Sequence, residues 1–348
     1  MNSELLQYEI DQTPEPGDCL EICRGIRWVR MPLPFALDHV NCWLIGNPGD
    51  QLLIDTGVNN ELTNQLWQKF LVSDGRHTKI MSASGPEKLL VTHFHPDHMG
   101  LAGTFHTAGC DLIGSNTEVD LALRIYELDD NSYAQQYAQW YRVNGLPDTV
   151  VQPVLDNGNT YRQKASRPPS SSQWTYLQHD QNVTICGDRY RVIIGAGHAP
   201  AMIMLYRDAD QVLISADQVL PRISPNVSVM PVLEDQNPLA SFLQSLESLR
   251  DLPADTLVLP SHGRPFRGLH NRLTALLEHH RHRLEQVLDA CVEPRTAYQL
   301  FPVLFSRELD AQQMSFALGE SLSHLHYLEN CGELERQYER GLTHFVKT

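Results

Sequence analysis

The chain has 348 residues, and its 42 acidic against 27 basic side chains give a formal net charge of −15. Such a surface repels nucleic acid and anionic membranes unless a local basic patch overrides it, so we expect neither as a partner. The first residues lack the basic and apolar pattern of a signal peptide, and no apolar run reaches the roughly 18 residues of a membrane span. The seven scattered cysteines predict reduced thiols, and a cytoplasmic location is expected.

The first part of the chain predicts an antiparallel strand meander followed by alternating helices and strands. Short apolar segments separated by turn residues indicate the strands, and apolar side chains at spacing four indicate the first helix. The predicted elements are strands over Ile26 to Met31, Val40 to Ile45 and Gln51 to Ile54, a helix over Glu61 to Val72, a strand over Lys88 to Thr92, a helix from about Asp97 to Gly109, and a strand over Asp111 to Gly114.

Residues 117–180 interrupt this alternation. Their first half is helical and aromatic in character, and their second half contains a Pro- and Ser-rich run over 167–172. We interpret the segment as an insertion. Two alternatives stay open, a lid over the site or a helical hairpin that packs on the core.

Strands resume after residue 180, and the order of elements predicts two stacked sheets with helices outside, an α/β fold. The predicted elements are strands over Val183 to Cys186, Tyr190 to Ile194, Met202 to Tyr206, Val212 to Ser215 and Thr256 to Leu259, and a helix over Leu239 to Leu249. The character changes near residue 268, so we divide the chain into a larger first domain, 1–267, and a C-terminal domain, 268–348.

The C-terminal domain predicts helices followed by a short hairpin, which is typical of a winged-helix module; a simple helical cap is the alternative. The expected helices cover Leu269 to Ala290, Ala297 to Phe305 and Ala311 to Asn330, and the hairpin strands cover Glu333 to Tyr338 and Leu342 to Val346. The third helix has no Lys or Arg, and its leucine stripe predicts a buried face: Leu318, Leu322, Leu325 and Leu328. The His- and Arg-rich run over 278–283 is interpreted as a solvated helix face.

A dense group of metal-ligating side chains follows the strand predicted at 88–92. His93 and His95 are two residues apart at a strand end, so both imidazoles point to one side. Asp97 and His98 follow where a helix begins and can face a second ion. Buried groups of this kind are costly without a partner, and neutral imidazole is a good ligand for zinc or iron.

Later strands end in further candidate ligands. These are His198, Asp217 and His262, each next to small residues that allow a close approach of backbone and ion. Taken alone, each would be an ordinary loop residue. Taken with residues 93–98, they can complete two coordination spheres.

This pattern resembles the metallo-β-lactamase superfamily, whose signature is His-x-His-x-Asp-His followed by His, Asp and His at strand ends. The resemblance implies an αββα sandwich and covers roughly residues 25–265; the tail is similar to that of members with a C-terminal winged helix. It implies that His93, His95 and His198 hold one metal, that Asp97, His98 and His262 hold the second, and that Asp217 bridges them. It also implies that Asp55 braces the metal-binding loop. At Ala199 and Ala201 the chain departs from the usual Gly-His-Ser/Thr-Pro-Gly, so a hydroxyl hydrogen bond is missing there.

The resemblance implies hydrolysis by a hydroxide shared between two divalent ions, zinc first, with iron or manganese also compatible. Asp97 would orient this nucleophile. Because superfamily members cleave many bonds, three hypotheses stay open: a glyoxalase II-like ester or thioester hydrolase for a small or carrier-bound acyl group, a phosphodiesterase or ribonuclease, and a non-enzymatic DNA-binding regulator. The charge favours the first. Arg222 is the candidate for gripping a substrate carboxylate or phosphate, and the C-terminal domain is expected to narrow the active-site mouth or form a homodimer contact.

Overall fold

The first sheet of the protein has seven strands. In the computed structural model, which describes residues 6–8, 10–71, 81, 85–233 and 237–348, these strands lie in sequence order across the sheet. The strands are β1 (Cys19–Cys23), β2 (Ile26–Pro32), β3 (His39–Asn47), β4 (Asp50–Ile54), β5 (Lys88–Leu90), β6 (Asp111–Gly114) and β7 (Trp174–Tyr176). The first four pair antiparallel, as the predicted meander requires, and pairing is parallel from β4 to β7.

The second sheet has five strands and packs face to face on the first. Its strands are β8 (Asn182–Ile185), β9 (Asp188–Gly195), β10 (Met202–Arg207), β11 (Val212–Ala216) and β12 (Leu257–Pro260), in the order β12-β11-β10-β9-β8. One buried apolar cluster joins the two sheets, with Trp28 and Trp43 from the first and Ile203 and Ile214 from the second. Alternate apolar positions on both inner faces produce this layer.

Helices cover both outer faces, so the architecture is the predicted αββα sandwich. The first face carries α1 (Glu61–Leu71), α2 (Pro96–Met99), α3 (Ala102–Thr107) and α4 (Asn116–Glu127), and the second carries α8 (Pro238–Ser248). The helix predicted from Asp97 to Gly109 is two short helices, and Val72 of the predicted first helix lies outside the described residues. Within the described part of the chain, no helix is long and apolar enough to cross a membrane.

The segment over residues 117–180 is mostly ordered secondary structure. Besides α4 it contains α5 (Asp130–Val143), α6 (Asp148–Asn157) and α7 (Thr160–Lys164), and it ends in β7. Strand β7 pairs with β6, so the segment supplies the edge of the first sheet. The α5–α6 pair is a helical hairpin, as one alternative expected, but much of its apolar surface is shared with the C-terminal region.

The C-terminal region has the predicted helices and hairpin. They are α9 (Leu269–Ala290), a 3-10 turn with α10 (Phe301–Leu304), α11 (Ala311–Asn330), β13 (Leu334–Glu339) and β14 (Leu342–Lys347). The leucine stripe of α11 is buried, as predicted, in a cluster that also holds Trp140 and Val151 of the α5–α6 hairpin. This shared cluster ties the end of the chain to its middle.

The expectation that the whole run over 278–283 is a solvated face is wrong at His280. This side chain is 1% exposed and lies between α8 and α11. Its Nε2 atom is 3.1 Å from Ser224 Oγ, and its Nδ1 atom is 3.2 Å from His324 Nε2. The charged residues around His280 predict an exposed helix face, but packing against α8 and α11 buries this one side chain.

Candidate metal centre

The structure brings all seven predicted ligands into one cluster at one edge of the sandwich. Each is placed there by the end of a strand or the start of α2, because those ends meet at this edge. Ligand atoms form three groups, and within each group all of them lie within 4.8 Å of one another. The groups are His93, His95 and His198; His93, His98 and Asp217; and Asp97, His98 and His262.

Ring nitrogens converge in the first group. His93 Nε2 lies 3.0 Å from His95 Nδ1 and 3.3 Å from His198 Nε2. Asp217 reaches this group too, with Oδ2 at 3.2 Å from His198 Nε2. Three imidazoles and one carboxylate oxygen therefore face a common point.

Asp217 joins the first group to a second group, which consists of Asp97, His98 and His262. Its Oδ2 atom lies 3.6 Å from His98 Nε2 and 3.4 Å from His262 Nε2. Asp97 Oδ2 is 3.5 Å from the same two nitrogens. Asp217 thus lies between the two groups, where the resemblance placed a bridging carboxylate.

The spacing fits transition-metal coordination. In a tetrahedral site with metal–nitrogen bonds of about 2.0–2.1 Å, neighbouring ligand atoms are about 3.3 Å apart. The separations of 3.0–3.6 Å in both groups match this value. Nε2 of His98 and His262 and Oδ1 of Asp217 are buried and have no hydrogen-bond partner in the described structure. Orphaned buried acceptors of this kind are what a pair of cations would satisfy.

Hydrogen bonds fix the tautomers of four imidazoles. His198 Nδ1 donates to the Asn226 carbonyl and His262 Nδ1 to the His39 carbonyl, both at 2.7 Å. His98 Nδ1 donates to Asp55 Oδ2 at 2.7 Å, and His93 Nδ1 lies 2.9 Å from Thr92 Oγ1. In the neutral form of each ring, Nδ1 therefore carries the single proton and the Nε2 lone pair can bind an ion.

Asp55 is a buried carboxylate that supports the candidate metal ligands through hydrogen bonds. Besides His98, its carboxylate accepts from the backbone N–H and the hydroxyl of Thr92, both at 2.8 Å. The Thr92 hydroxyl is therefore a donor to Asp55 and an acceptor for His93. Asp55 adopts a left-handed backbone conformation, φ 62°, which a non-glycine residue keeps only under local constraint. The Asp55 carboxylate therefore contacts His98 directly and His93 through the Thr92 hydroxyl.

Backbone geometry also positions His198. Gly197 has φ 108°, and a Cβ atom there would lie 2.3 Å from Cβ and 2.6 Å from Cα of Phe242 on α8. Only glycine allows this close approach. The His198 loop is therefore set directly on α8, although Ala199 lacks the usual hydroxyl.

Glu118 is a site residue that the sequence analysis missed. It lies on α4 and is buried, and its carboxylate accepts from the Phe94 N–H at 3.0 Å and from the Ala201 N–H at 2.5 Å. Burial raises its pKa to about 7, against the effect of these two donors. Glu118 thus joins the loop of His93 and His95 to the loop of His198. A single Glu on a helix carries no signal of this role in the sequence.

Burial keeps the first group in the form that ligates metals. It lowers the pKa of His95 to about 3, and it lowers the pKa of His93 well below its usual value, with neighbouring imidazoles adding to the effect. Burial opposes ionisation of Asp217, but the charges of His262 and His98 outweigh it and hold the pKa of Asp217 well below its usual range. Neutral imidazole and ionised carboxylate are the states that bind an ion.

Arg222 and Lys164 differ in their relation to the site. Arg222 is exposed and does not line the cavity of about 570 Å³ that opens beside His95 and His198, so its substrate role stays a prediction. Lys164 of α7 does line that cavity, and its Nζ lies 5.0 Å from the Phe35 ring centroid. Burial lowers the pKa of Lys164, while the charge of Asp97 opposes that shift.

Known families match both parts of the chain. Residues 36–262 match the model of the metallo-beta-lactamase superfamily, and residues 284–348 match the model described as the metallo-beta-lactamase-like C-terminal domain. The chain belongs to the metallo-beta-lactamase superfamily. A crystal structure of a beta-lactamase domain protein from Burkholderia ambifaria is 36% identical, with a TM-score of 0.89 and 99% of each chain covered. The probable metallo-hydrolase YqjP of Bacillus subtilis is 27% identical over 92% of this chain and 97% of its own.

Two more distant relatives have names that state a reaction. The human acyl-coenzyme A thioesterase MBLAC2 is 24% identical over 56% of this chain and 63% of its own. A linear primary-alkylsulfatase from a Pseudomonas species is 24% identical over 65% of this chain and 42% of its own. The family and its full-length relatives make this chain a metallo-hydrolase, and the predicted superfamily is confirmed.

Proposed function

We propose that this metallo-hydrolase uses two divalent ions to cleave an ester or thioester. The observation that carries the proposal is the junction of the seven-ligand cluster with a largely apolar cavity at His95 and His198. Two bound ions would lower the pKa of a water and polarise the scissile carbonyl. The nucleophile and the electrophile would then both be activated beside this cavity, which would take the acyl side of the substrate.

Asp97 has the position to orient the attacking water. Its side chain is 20% exposed, against 7% for Asp217, so it is the more accessible carboxylate of the cluster. Its Oδ2 atom is 3.5 Å from both His98 and His262. Burial opposes its ionisation, but the charges of these imidazoles lower its pKa, so it is an ionised acceptor for the water proton.

The phosphodiesterase and DNA-regulator alternatives find little support in the charges. Helix α11 has no Lys or Arg, and within the described lining of the cavity Lys164 is the one lysine or arginine. A polynucleotide needs several phosphate contacts. The names of relatives divide between a thioesterase and an alkylsulfatase, and an apolar cavity suits the organic part of either substrate.

Zinc is the proposed metal because five imidazoles and two carboxylates at tetrahedral spacing suit it. Iron and manganese remain compatible with the mixed set of ligands. Elemental analysis of purified full-length protein should give about two ions per chain. One ion or none at high affinity would contradict the dinuclear proposal.

The test of the reaction is a substrate panel with the metal-loaded protein. It comprises acyl thioesters, p-nitrophenyl acyl esters, a lactone, bis-p-nitrophenyl phosphate and a linear alkyl sulfate. We expect thioesters or esters to give the highest kcat/KM. Faster turnover of the phosphodiester or the sulfate would replace the proposed substrate class.

A further inference from the structure

The cavity beside the candidate metal centre is lined by parts of the chain that are far apart in sequence. His95 and His198 line one end, where the bond to be cleaved would lie. The opposite walls come from the α5–α6 hairpin, from the loop over 226–233, and from Phe316 of α11. Its volume of about 570 Å³ lies within the range of small-molecule sites.

The lining of this cavity is mainly aromatic and aliphatic, with a few polar side chains such as Asn157, Gln163 and Lys164. It includes Tyr133, Tyr137, Trp140, Val150, Val154 and Met230. Within the described residues it has no Asp or Glu, although the chain as a whole has 42. A lining without carboxylates suits an apolar occupant, because an unpaired charge beside apolar groups is costly.

The walls are also held firmly. Trp140 and Val150 lie in the buried cluster that the α5–α6 hairpin shares with Leu318 and Leu322 of α11. Tyr133 stacks on Tyr137 with ring centroids 4.4 Å apart. Because these groups are packed from behind, this part of the cavity wall is held in place.

We propose that this cavity binds the apolar acyl group of the substrate, with the carbonyl carbon at the His95 and His198 end. The inference rests on the proposed ester or thioester hydrolysis and adds the substrate class: acyl chains longer than acetyl. Each methylene that enters an apolar site contributes enough transfer free energy for about a fourfold gain in kcat/KM. The gain ends when the cavity is full.

The experiment uses metal-loaded full-length protein and straight-chain acyl thioesters from acetyl to dodecanoyl. We expect kcat/KM to rise about threefold to fourfold for each added methylene and then to level off. In Val154→Trp, where a larger ring fills part of the cavity, the optimum should move to shorter chains. The matched control is Val292→Trp, because Val292 is 64% exposed after α9, and its chain-length profile should equal that of the wild type.

A profile that is flat, or one that Val154→Trp leaves unchanged, overturns the acyl-cavity inference while the hydrolysis stands. If no thioester or ester is turned over, the proposed function fails, and direct binding decides the cavity by itself. Decanoate binding, followed by calorimetry, should then be tighter than acetate binding and at least tenfold weaker in Val154→Trp than in Val292→Trp. Equal decanoate affinity in the two variants, each checked for a wild-type melting transition, also overturns the inference.

Discussion

The Nδ1 atom of His198 donates a hydrogen bond to the backbone carbonyl of Asn226 at 2.7 Å. Asn226 belongs to the loop over residues 226–233, which contacts α11. The Val229 N–H donates to the Gly319 carbonyl at 3.1 Å. The Asn226 amide lies 3.4 Å from the Phe316 carbonyl. Helix α11 thus supports His198, a candidate metal ligand, through the loop over residues 226–233.

Gly319→Ala should weaken this support. An added Cβ would lie 2.6 Å from Ser228 Oγ and 2.9 Å from the Val229 carbonyl, so the loop must shift. Alanine in a helix normally stabilises by about 1 kcal/mol relative to glycine. Here we expect the opposite sign in urea unfolding and a metal affinity lower by about tenfold, the low end for loss of a ligand's supporting contact. Asn330→Ala, at the exposed end of α11, is the control. A stabilised variant with wild-type metal affinity would refute the coupling.

Asp97→Ala should remove one metal and the group that orients the water. We expect kcat to fall by more than about 100-fold, which exceeds the loss typical of a residue that only hydrogen-bonds to a metal ligand. The fold should persist, because the cores of both sheets contain no part of this side chain. Metal content, circular dichroism and kinetics check the three statements, with the exposed Asp111→Ala as the control. Turnover near the wild-type rate would remove Asp97 from the mechanism.

Glu118→Gln should misplace two ligand loops at once. Both carboxylate oxygens accept backbone N–H groups, and an amide offers one acceptor and one donor, so one N–H would face another. We expect a loss of about 1–3 kcal/mol in unfolding free energy, the cost of a buried donor left unpaired, together with weaker metal retention in dialysis. Glu127→Gln, exposed on the same helix α4, should change neither. Unchanged metal retention in Glu118→Gln would leave Glu118 with a purely structural role.

The paired imidazoles of His280 and His324 should make stability depend on pH. Burial lowers the pKa of His280 to about 2, with the charge of His324 adding to the effect, and burial lowers the pKa of His324 to about 4. Unfolded histidine titrates near 6.5, so below about pH 6.5 the unfolded chain binds more protons and stability falls as pH falls. His280→Gln should reduce the stability loss between pH 7 and 5 by up to about 2 kcal/mol. His282→Gln, exposed on the same helix, should keep the wild-type loss; equal losses in both variants would contradict this assignment.

The seven candidate ligands could be predicted because metal coordination restricts residue type and spacing within a short motif. The sandwich could be predicted because apolar alternation marks its strands. Strand β7 could not be predicted, because its three residues, after a Pro- and Ser-rich loop, are too few to show apolar alternation. His280 could not, because its burial depends on α8 and α11. The cavity could not, because it is assembled from segments as distant as His95 and Phe316.

The apolar cluster shared by the α5–α6 hairpin and the C-terminal region has a consequence for biosynthesis. Trp140 and Val151 leave the ribosome long before Leu318 and Phe345, the partners that bury them. Contacts of such long sequence separation form late, and exposed apolar surface promotes aggregation in the meantime. The hairpin therefore stays incompletely covered until α11 and β14 have been synthesised. We expect nascent chains stalled before α11 to depend on chaperones, and released full-length chains to become protease-resistant in one late step.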